Sequence, residues 1–261
     1  QKELEKTDCY VAAVNGEDGS AAMFGYNKKS GMKRVSADGK VTKVNLQLPE
    51  YQATGKESDD TENFVTSAVY ADNKLFVTDL NWVVYEVNPQ TGEMSKAFSD
   101  ISEKVNHLIP AGTKLALMMD KGIQFADAKS GALAERMQND DVLQQAMGKF
   151  RESDNSDSNN IAMTMGDSGD ELYYIDNDGL FYHKIGGSTT EQLINGELTS
   201  LGDRNVTLQA LYKFDDKNYM VFVNDSQGAR HCYRYTYDAD VSAVPQNQIT
   251  VYALEDSNAL Q

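Results

Sequence analysis

The chain has 261 residues, of which 40 are acidic and 24 basic, and its formal net charge is −16 at pH 7. Such a charge disfavours nucleic acid and anionic membrane surfaces as partners, and no apolar run is long enough to cross a bilayer. The start, QKELEKTD, has neither a basic leader nor an apolar signal core, so we expect the leader of an exported protein to lie outside these residues.

The first two predicted units share one pattern: an apolar segment followed by three alternating strands with short turns. In the first unit, CYVAAV (9–14) precedes the strands of 19–46. In the second, FVTSAVY (64–70) precedes DNKLFVTDLNWVVYEVNPQTGEMSKAF (72–98), the clearest copy. A long polar connection, 49–63, separates the two units. Each unit therefore predicts four strands.

The third unit is VNHLIPA (105–111) followed by 113–137, which matches the second almost element for element. An insertion, 138–159, comes next. Its first half, DVLQQAMGKF (141–150), has apolar residues at helical spacing, and its second half is acidic. The sequence predicts one inserted helix here, and both long connections are expected to emerge on one face of the fold, where function usually resides.

The fourth unit is NIAMTMG (160–166) followed by 170–194, and the fifth is VTLQALYKF (206–214) followed by 217–244. The tail ITVYALEDSNALQ (249–261) begins like a strand and then stops. We expect either a closing strand or the start of a linker to a downstream domain.

A recurring four-stranded unit is typical of a β-propeller blade, because one such sheet buries its faces only against neighbours around a ring. The connections PQTGE, AKSGA, IGGST and SADGK all supply a glycine where the chain must reverse with positive φ. We predict an all-β propeller over 1–248 with about five four-stranded blades and one helical insertion. Six or seven blades would result if the tail or missing sequence completed further ones. A β-sandwich is the alternative, but it predicts no regular spacing of equivalent glycine turns.

No sequence motif for catalysis, metal or cofactor binding is found. The chain has no glycine-rich phosphate loop and no nucleophile elbow, and its two cysteines lie too far apart for a metal-ligand pair. A bridge between Cys9 and Cys232 is left open. His183 and His231 fall within strands and are expected to be partly exposed. We therefore predict no catalytic residue, no metal and no cofactor, with weak calcium binding by the acidic loops left open.

Four residues are the candidates for ligand binding. Trp82, the single tryptophan, lies with Asn81 at the turn between the second and third strands of its unit, where an aromatic ring could hold a sugar or a peptide. Asn106 and His107 begin the inner strand of the next unit, near the mouth of a propeller channel. A packing role between blades is the alternative for Trp82.

One resemblance adds to these patterns. NVTLQALYKFDDKNYMVFVN (205–224), followed by the tail at 249–261, resembles the amino-terminal half of large clostridial-type lipoproteins known as extracellular solute-binding proteins. In that family a propeller-like region precedes a periplasmic-binding-protein-like domain. The resemblance implies a Gram-positive cell-surface location, a lipid anchor upstream of Gln1 and a solute-binding domain downstream of Gln261.

The leading hypothesis is a non-catalytic, extracytoplasmic propeller that binds a carbohydrate or peptide ligand, or a protein, within a transport-related lipoprotein. Its contact with a membrane would be limited to the lipid anchor. A glycan-active enzyme of the propeller kind is an alternative, although the inner strands offer hydroxyls and methionines rather than paired acids. A structural spacer is the third hypothesis.

Overall fold

The predicted repeat folds as five antiparallel sheets around a ring, which confirms the β-propeller. The structure is a computed structural model, and it describes residues 9–13, 22–36, 38–52, 62–137, 139–152, 160–166, 168–199, 201 and 206–240. Every sheet uses consecutive strands in the order of the chain, so each predicted unit corresponds to one blade.

The elements have the following bounds. The first blade contains β1 Cys9–Ala13, β2 Ala22–Asn27, β3 Gly31–Ser36 and β4 Val41–Val44. The second contains β5 Val65–Ala71, β6 Lys74–Asp79, β7 Val84–Val87 and β8 Met94–Lys96. The third contains β9 His107–Ala111, β10 Lys114–Met119, β11 Gly122–Asp127 and β12 Leu133–Met137, and the helix α1, Asp141–Glu152, follows it. The fourth contains β13 Ala162–Met165, β14 Glu171–Asp176, β15 Gly179–Lys184 and β16 Thr190–Asn195. The fifth contains β17 Thr207–Lys213, β18 Asn218–Asn224 and β19 Arg230–Thr236.

The first strands of the blades form the inner wall of the ring. β1, β5, β9, β13 and β17 contact one another in that order, and β17 also contacts β1, which closes the ring. All five apolar segments predicted to precede the repeats are these inner strands. The fifth blade has three strands within the described residues, and the predicted tail element, 249–261, lies outside them.

The free edges of the inner strands are bonded across the gaps between blades. Ser67 Oγ on β5 accepts the backbone N–H of Leu108 on β9 at 2.9 Å. The Thr164 hydroxyl on β13 donates to the carbonyl of Pro110 at 2.9 Å. Asn160 Oδ1 accepts the N–H of Leu208 on β17 at 2.6 Å. These bonds give partners to edge groups that no neighbouring strand pairs, which a buried backbone requires.

Four hydrophobic clusters fill the spaces between successive blades, because alternate residues of each strand face opposite neighbours. On β10, Leu115 and Leu117 pack towards the second blade, whereas Ala116 and Met118 pack towards the fourth. The connections between blades add to these clusters. The predicted helix is confirmed as α1, and it buries Leu143, Ala146 and Met147 between the third and fourth blades.

The glycine turns behave as the sequence predicted. Gly39, Gly92, Gly131 and Gly186, one in each connection between a third and a fourth strand, have φ of 78°, 81°, 73° and 84°. At Gly92 the backbone is also crowded, since an added Cβ would lie 2.3 Å from the carbonyl oxygen of Asn45 on the first blade. This turn therefore needs glycine both for its conformation and for the contact between blades.

Replacing Ser67 with alanine tests the bonds between inner strands. The change leaves the buried N–H of Leu108 without an acceptor, and we expect the free energy of unfolding to fall by about 1–3 kcal/mol. Urea unfolding followed by circular dichroism measures it. Ser95→Ala, at an exposed position of the outer strand β8, is the matched control and should change little. Equal stabilities of the two variants would contradict the role given to Ser67.

Candidate functional site

The four predicted ligand residues lie on one face of the ring. In a four-stranded antiparallel blade, the start of the first strand and the turn between the second and third strands lie at the same end of the sheet. Asn81 and Trp82 occupy the β6–β7 turn, and Asn106 and His107 lie at the start of β9. The ends of β4 and β12 and the starts of β5 and β13 lie on the same side, which we call the connection face.

A buried carboxylate organises the turn that carries Trp82. Asp79 ends β6 and is fully buried, and its Oδ1 accepts the N–H groups of Asn81 and Val83 at 3.0 and 3.2 Å. Its Oδ2 accepts the Asn63 side-chain amide at 2.7 Å, and its backbone carbonyl accepts the N–H of Trp82 at 2.9 Å. Because the oxygens of this buried side chain accept several hydrogen bonds, Asp79 fixes the β6–β7 turn.

The Asn81 side chain ties a neighbouring connection to this turn. Its Nδ2 donates to the carbonyl of Glu50 at 3.0 Å, and its Oδ1 accepts the N–H of Gln52 at 2.8 Å. Both side-chain groups of Asn81 are thus engaged within the chain. A ligand would meet Asn81 through the segment 50–52 that it positions.

Trp82 has an unusual backbone conformation. Its φ is +62°, in the left-handed region that bulky residues rarely adopt. Its carbonyl accepts the N–H of Val105 at 3.3 Å, and the Lys104 ammonium lies 5.6 Å from the centre of the indole ring. Trp82 is half-buried at the seam between the second and third blades, directly beside the residues that precede β9.

Asn106 makes a contact that recurs around the ring. Its Nδ2 donates to Asp120 Oδ1 at 2.7 Å in the β10–β11 turn. Asn63 binds Asp79 in the same way in the second blade, and Asn160 binds Asn177 at 2.9 Å in the fourth. In these three blades, an asparagine before the inner strand thus forms a hydrogen bond that clamps the turn between the second and third strands of the same blade. The signal was present in the sequence as an asparagine just before three inner strands.

His107 is held by its ring contact with the helix. The ring lies 4.6 Å from that of Phe150, near the end of α1, at 63° to it. Burial lowers the pKa of His107 to about 4, because the charged imidazolium loses its hydration there. At neutral pH the imidazole is therefore uncharged and offers one donor and one acceptor.

The seam between the second and third blades is thus a small polar surface around one aromatic ring. Trp82 lies at this seam with Lys104 beside it, and Asn106 and Asp120 lie close by at the start of the third blade, whereas the His107 side chain faces α1 and the fourth blade. These groups can stack on, donate to and accept from a bound molecule. Sequence reasoning missed Lys104, Asp79 and Phe150, although a repeated acid or amide at the end of each second strand would have indicated Asp79.

His183 differs from its prediction. It is fully buried, not partly exposed, because Asp140, the residue before α1, supplies a carboxylate 3.0 Å from its Nε2. His231 is partly exposed as predicted and lies 2.9 Å from Asp225. Cys232 on β19 is a free thiol, and partial burial of its sulfur raises its pKa.

The described residues contain no group of three or more histidine, cysteine, aspartate or glutamate side chains that could hold a metal ion. Within the same residues, α1 is neither long nor apolar enough to span a bilayer.

Comparisons with known proteins give no family. No protein-family model and no curated protein match the chain. Among solved structures, an extracellular domain described as part of a hybrid two-component system of B. thetaiotaomicron is 12% identical, with 90% of this chain covering 28% of that one at a TM-score of 0.39. The N-terminal domain of Nup159 is 9% identical (91% of this chain, 63% of that one, TM-score 0.36), and the computationally designed Ika4 protein is 11% identical (73% and 99%, TM-score 0.33). The chain thus spans less than two thirds of the first two, and likenesses at this level carry no argument about function.

The lowered pKa of His107 predicts a dependence of stability on pH. Between pH 6.5 and about 4 the unfolded chain binds a proton at this residue and the folded chain does not, so stability falls as the pH is lowered through that range. The slope from this group is at most about 1.4 kcal/mol per pH unit. His107→Phe keeps an aromatic ring against Phe150 and should remove this part of the slope in urea unfolding. If the free energies of unfolding of the variant and the parent differed by the same amount throughout this pH range, the lowered pKa assigned to His107 would be wrong.

The left-handed conformation of Trp82 predicts an inverted order of small substitutions. Trp82→Gly and Trp82→Ala both delete the indole, but only alanine keeps the strain of positive φ, so the glycine variant should be more stable by about 1 kcal/mol. Val83, which does not have positive φ, is the matched position, and there alanine should be the more stable. Thermal unfolding followed by circular dichroism compares the four variants. The same order at both positions would show that Trp82 is unstrained.

Proposed function

We propose that this β-propeller is a non-catalytic ligand-binding or protein-interaction module of an extracytoplasmic, transport-related lipoprotein, with its ligand site at the seam around Trp82. A β-propeller is a scaffold suited to a binding or interaction module. The finer parts of the proposal rest on the site geometry and on the sequence resemblance.

One observation carries the choice of site. The single tryptophan of the chain occupies a position where its own backbone conformation is unfavourable, and a buried carboxylate with several donors holds it there. Conformational strain of this kind concentrates at binding sites, because glycine or asparagine would serve the turn better if only the turn mattered. A role of the indole in ligand binding, in addition to its packing in the fold, explains why a tryptophan occupies this position.

The groups around Trp82 favour a carbohydrate or a peptide as the ligand. An indole face packs on the C–H surface of a sugar or on an apolar side chain. Asn106 and Asp120 at the start of the third blade add donors and acceptors, and Lys104 supplies a positive charge beside the indole in a protein whose net charge is −16. Such a mixture of one aromatic anchor and several polar groups is typical of small-ligand sites.

The character of His107 supports binding over catalysis. A general base works best when its pKa lies near the operating pH, and the pKa of His107 lies near 4. Asp120 is engaged by the Asn106 amide in the same contact that other blades use as scaffold. His107 is therefore not prepared to move a proton at neutral pH.

The cellular context in this proposal comes from the resemblance of 205–224 and 249–261 to clostridial-type solute-binding lipoproteins. We propose that the natural protein is anchored to the outer face of the membrane by lipid upstream of Gln1. A solute-binding domain downstream of Gln261 would complete it. In that arrangement the propeller contributes a second binding surface to the same lipoprotein.

Fluorescence of Trp82 provides a direct test, because the chain has one tryptophan and its emission reports on one place. Panels of neutral oligosaccharides and of short peptides would be titrated into the protein, with thermal shift as a second readout. A true ligand should change the emission saturably. At about 100 times its dissociation constant, the same compound should stabilise the fold by about 2.7 kcal/mol.

Matched variants locate the binding. Lys104→Ala and Trp82→Phe should weaken a ligand of the seam, whereas Phe214→Ala, which removes a partly exposed aromatic ring from the β17–β18 connection on the opposite face, should not. Equal loss with all three variants would contradict the site. If no compound of either panel changed the fluorescence or the thermal stability, the hypothesis of a structural spacer would be favoured. Turnover of any glycan would overturn the hypothesis of a non-catalytic module.

A further inference from the structure

The first blade has one well-buried side and one side that is less covered. Alternate residues of β3 and β4 point to opposite sides of the sheet. Met32 and Val44 are almost fully buried against the second blade. On the other side, which faces the fifth blade around the ring, Val35 is half-buried and Val41 is 44% exposed. Within the described residues, this side, which we call the open side, leaves apolar surface exposed.

The open side also carries two lysines. Lys33 and Lys43 are directly opposite each other in the register of β3 and β4, two residues away from the pair of Val35 and Val41. Because β3 begins and β4 ends at the connection face, the lysines lie nearer to that face and the valines lie nearer to the far end. Like charges at opposite positions of a sheet repel each other, so an acidic group placed beside these lysines is favoured.

The fifth blade offers a strand edge beside the open side. Its third strand, β19, is the outermost strand of that sheet within the described residues, whereas each of the other four blades has a fourth strand. The N–H of Tyr237 donates to the carbonyl of Lys217 at 2.7 Å, which sets the phase of the pairing between β18 and β19. In antiparallel pairing, every second residue then directs its N–H and C=O away from β18. On β19 these residues are Cys232, Arg234 and Thr236.

Residues 241–261 lie outside the described residues, and part of their sequence fits this edge. The segment ITVYALE (249–255) has the same length as β19 and is rich in residues that favour strands. One side of such a strand would carry Ile249, Val251, Ala253 and Glu255. A fourth strand runs from the far end of the blade to the connection face, as β4 does. Its apolar residues would therefore meet the two valines, and Glu255 would meet the two lysines.

The other side of this segment also matches its surroundings. Tyr233 and Tyr235 of β19 are half-buried and pack towards the fourth blade. Tyr252 and Leu254 would extend that apolar surface by one strand. The nearer segment, VSAVPQN (241–247), fits less well, because it has no acid for the lysines and its proline has no N–H to pair with the edge.

We propose that residues 249–255 of this chain add as a fourth strand to the edge of β19 and dock on the open side of the first blade, with Glu255 beside Lys33 and Lys43. This strand would join the last blade to the first at the outside of the ring, in addition to the inner contact of β17 with β1. Residues 256–261 would then leave the fold at the connection face. The inference does not depend on the proposed ligand site.

Hydrogen exchange of the unaltered protein tests the added strand. The N–H groups of Cys232 and Arg234 point away from β18, so a further strand is needed to protect them. We expect both amides to exchange at least about a hundredfold more slowly than in an unstructured chain. Tyr233 and Tyr235, which pair with β18, are the internal references. Exchange of Cys232 and Arg234 at the unstructured rate, with the references protected, would overturn the proposal.

Disulfide formation with the thiol of Cys232 identifies the segment, in a background that carries Cys9→Ser. Tyr233 and Tyr235 face the fourth blade, so Cys232 lies on the side of β19 that faces the first. Val251→Cys or Ala253→Cys, on the same side of the proposed strand, should form a bridge within one molecule under mild oxidation. Tyr252→Cys, on the opposite side, should not. Mass measurement after alkylation counts the remaining thiols.

Three outcomes of this experiment would contradict the proposal. Equal bridging from all three positions would show a tail that does not pair as a strand. Bridging from Ser242→Cys or Ala243→Cys instead would assign the edge to the segment 241–247. A bridge between two molecules, seen as a dimer on a non-reducing gel, would assign it to a second copy of the chain.

Charge exchange tests the contact of Glu255. Glu255→Lys puts a third positive charge beside Lys33 and Lys43, and we expect exchange of the Cys232 amide to accelerate about fivefold. Adding Lys43→Glu should restore the parent rate. Asp256→Lys is the matched control, since it makes the same change of charge on the other side of the strand and should alter the rate little. Equal effects of the two tail variants, or no rescue by Lys43→Glu, would refute the docking.

Discussion

The ring depends on how the inner strands satisfy their free edges. An inner strand has a partner on one side only, and the groups on its other edge face the neighbouring blade across the centre of the molecule. Ser67, Thr164 and Asn160 provide those groups with side-chain partners from the neighbouring blade. The Ser67 and Asn160 bonds lie near the starts of the inner strands and the Thr164 bond lies near their ends, so together they hold the strands parallel and in register. Pro110 fits this edge, since proline has no N–H to be satisfied there.

Because the inner strands are parallel, every blade starts on the same face of the ring, and functional side chains from different blades can come together on that face. The segments between blades must cross that face, and a clamp formed by an asparagine and an acid or amide fixes three of the turns there. Scaffold and site are therefore built from the same parts. Asn106 and Asp79 are scaffold groups by their contacts, and they gain a place in the candidate site because Trp82 and Lys104 lie beside them.

The sequence predicted the architecture well because its signals are local. Alternation in the strands, glycine at the reversals and helical spacing at 141–150 all depend on neighbours along the chain, and all are confirmed. The candidate site was only partly predictable. Composition and position indicated Trp82 and His107, but the contacts with Lys104 and Phe150 join residues of different elements. The burial of His183 was missed for the same reason, since Asp140 lies 43 positions away.

The helix breaks the symmetry of the ring, and this asymmetry has a physical consequence. The other described clusters between blades are filled by strand residues and by non-helical residues of the connections, whereas the gap between the third and fourth blades takes an amphipathic helix. The helix buries Leu143, Ala146 and Met147 between these two blades, and Phe150 near its end contacts His107 at the start of β9. Trp82 lies on the other side of the third blade, beside Lys104. An insertion in one unit can thus give one inner strand of a repeated scaffold a distinct contact without altering the strands that form the ring.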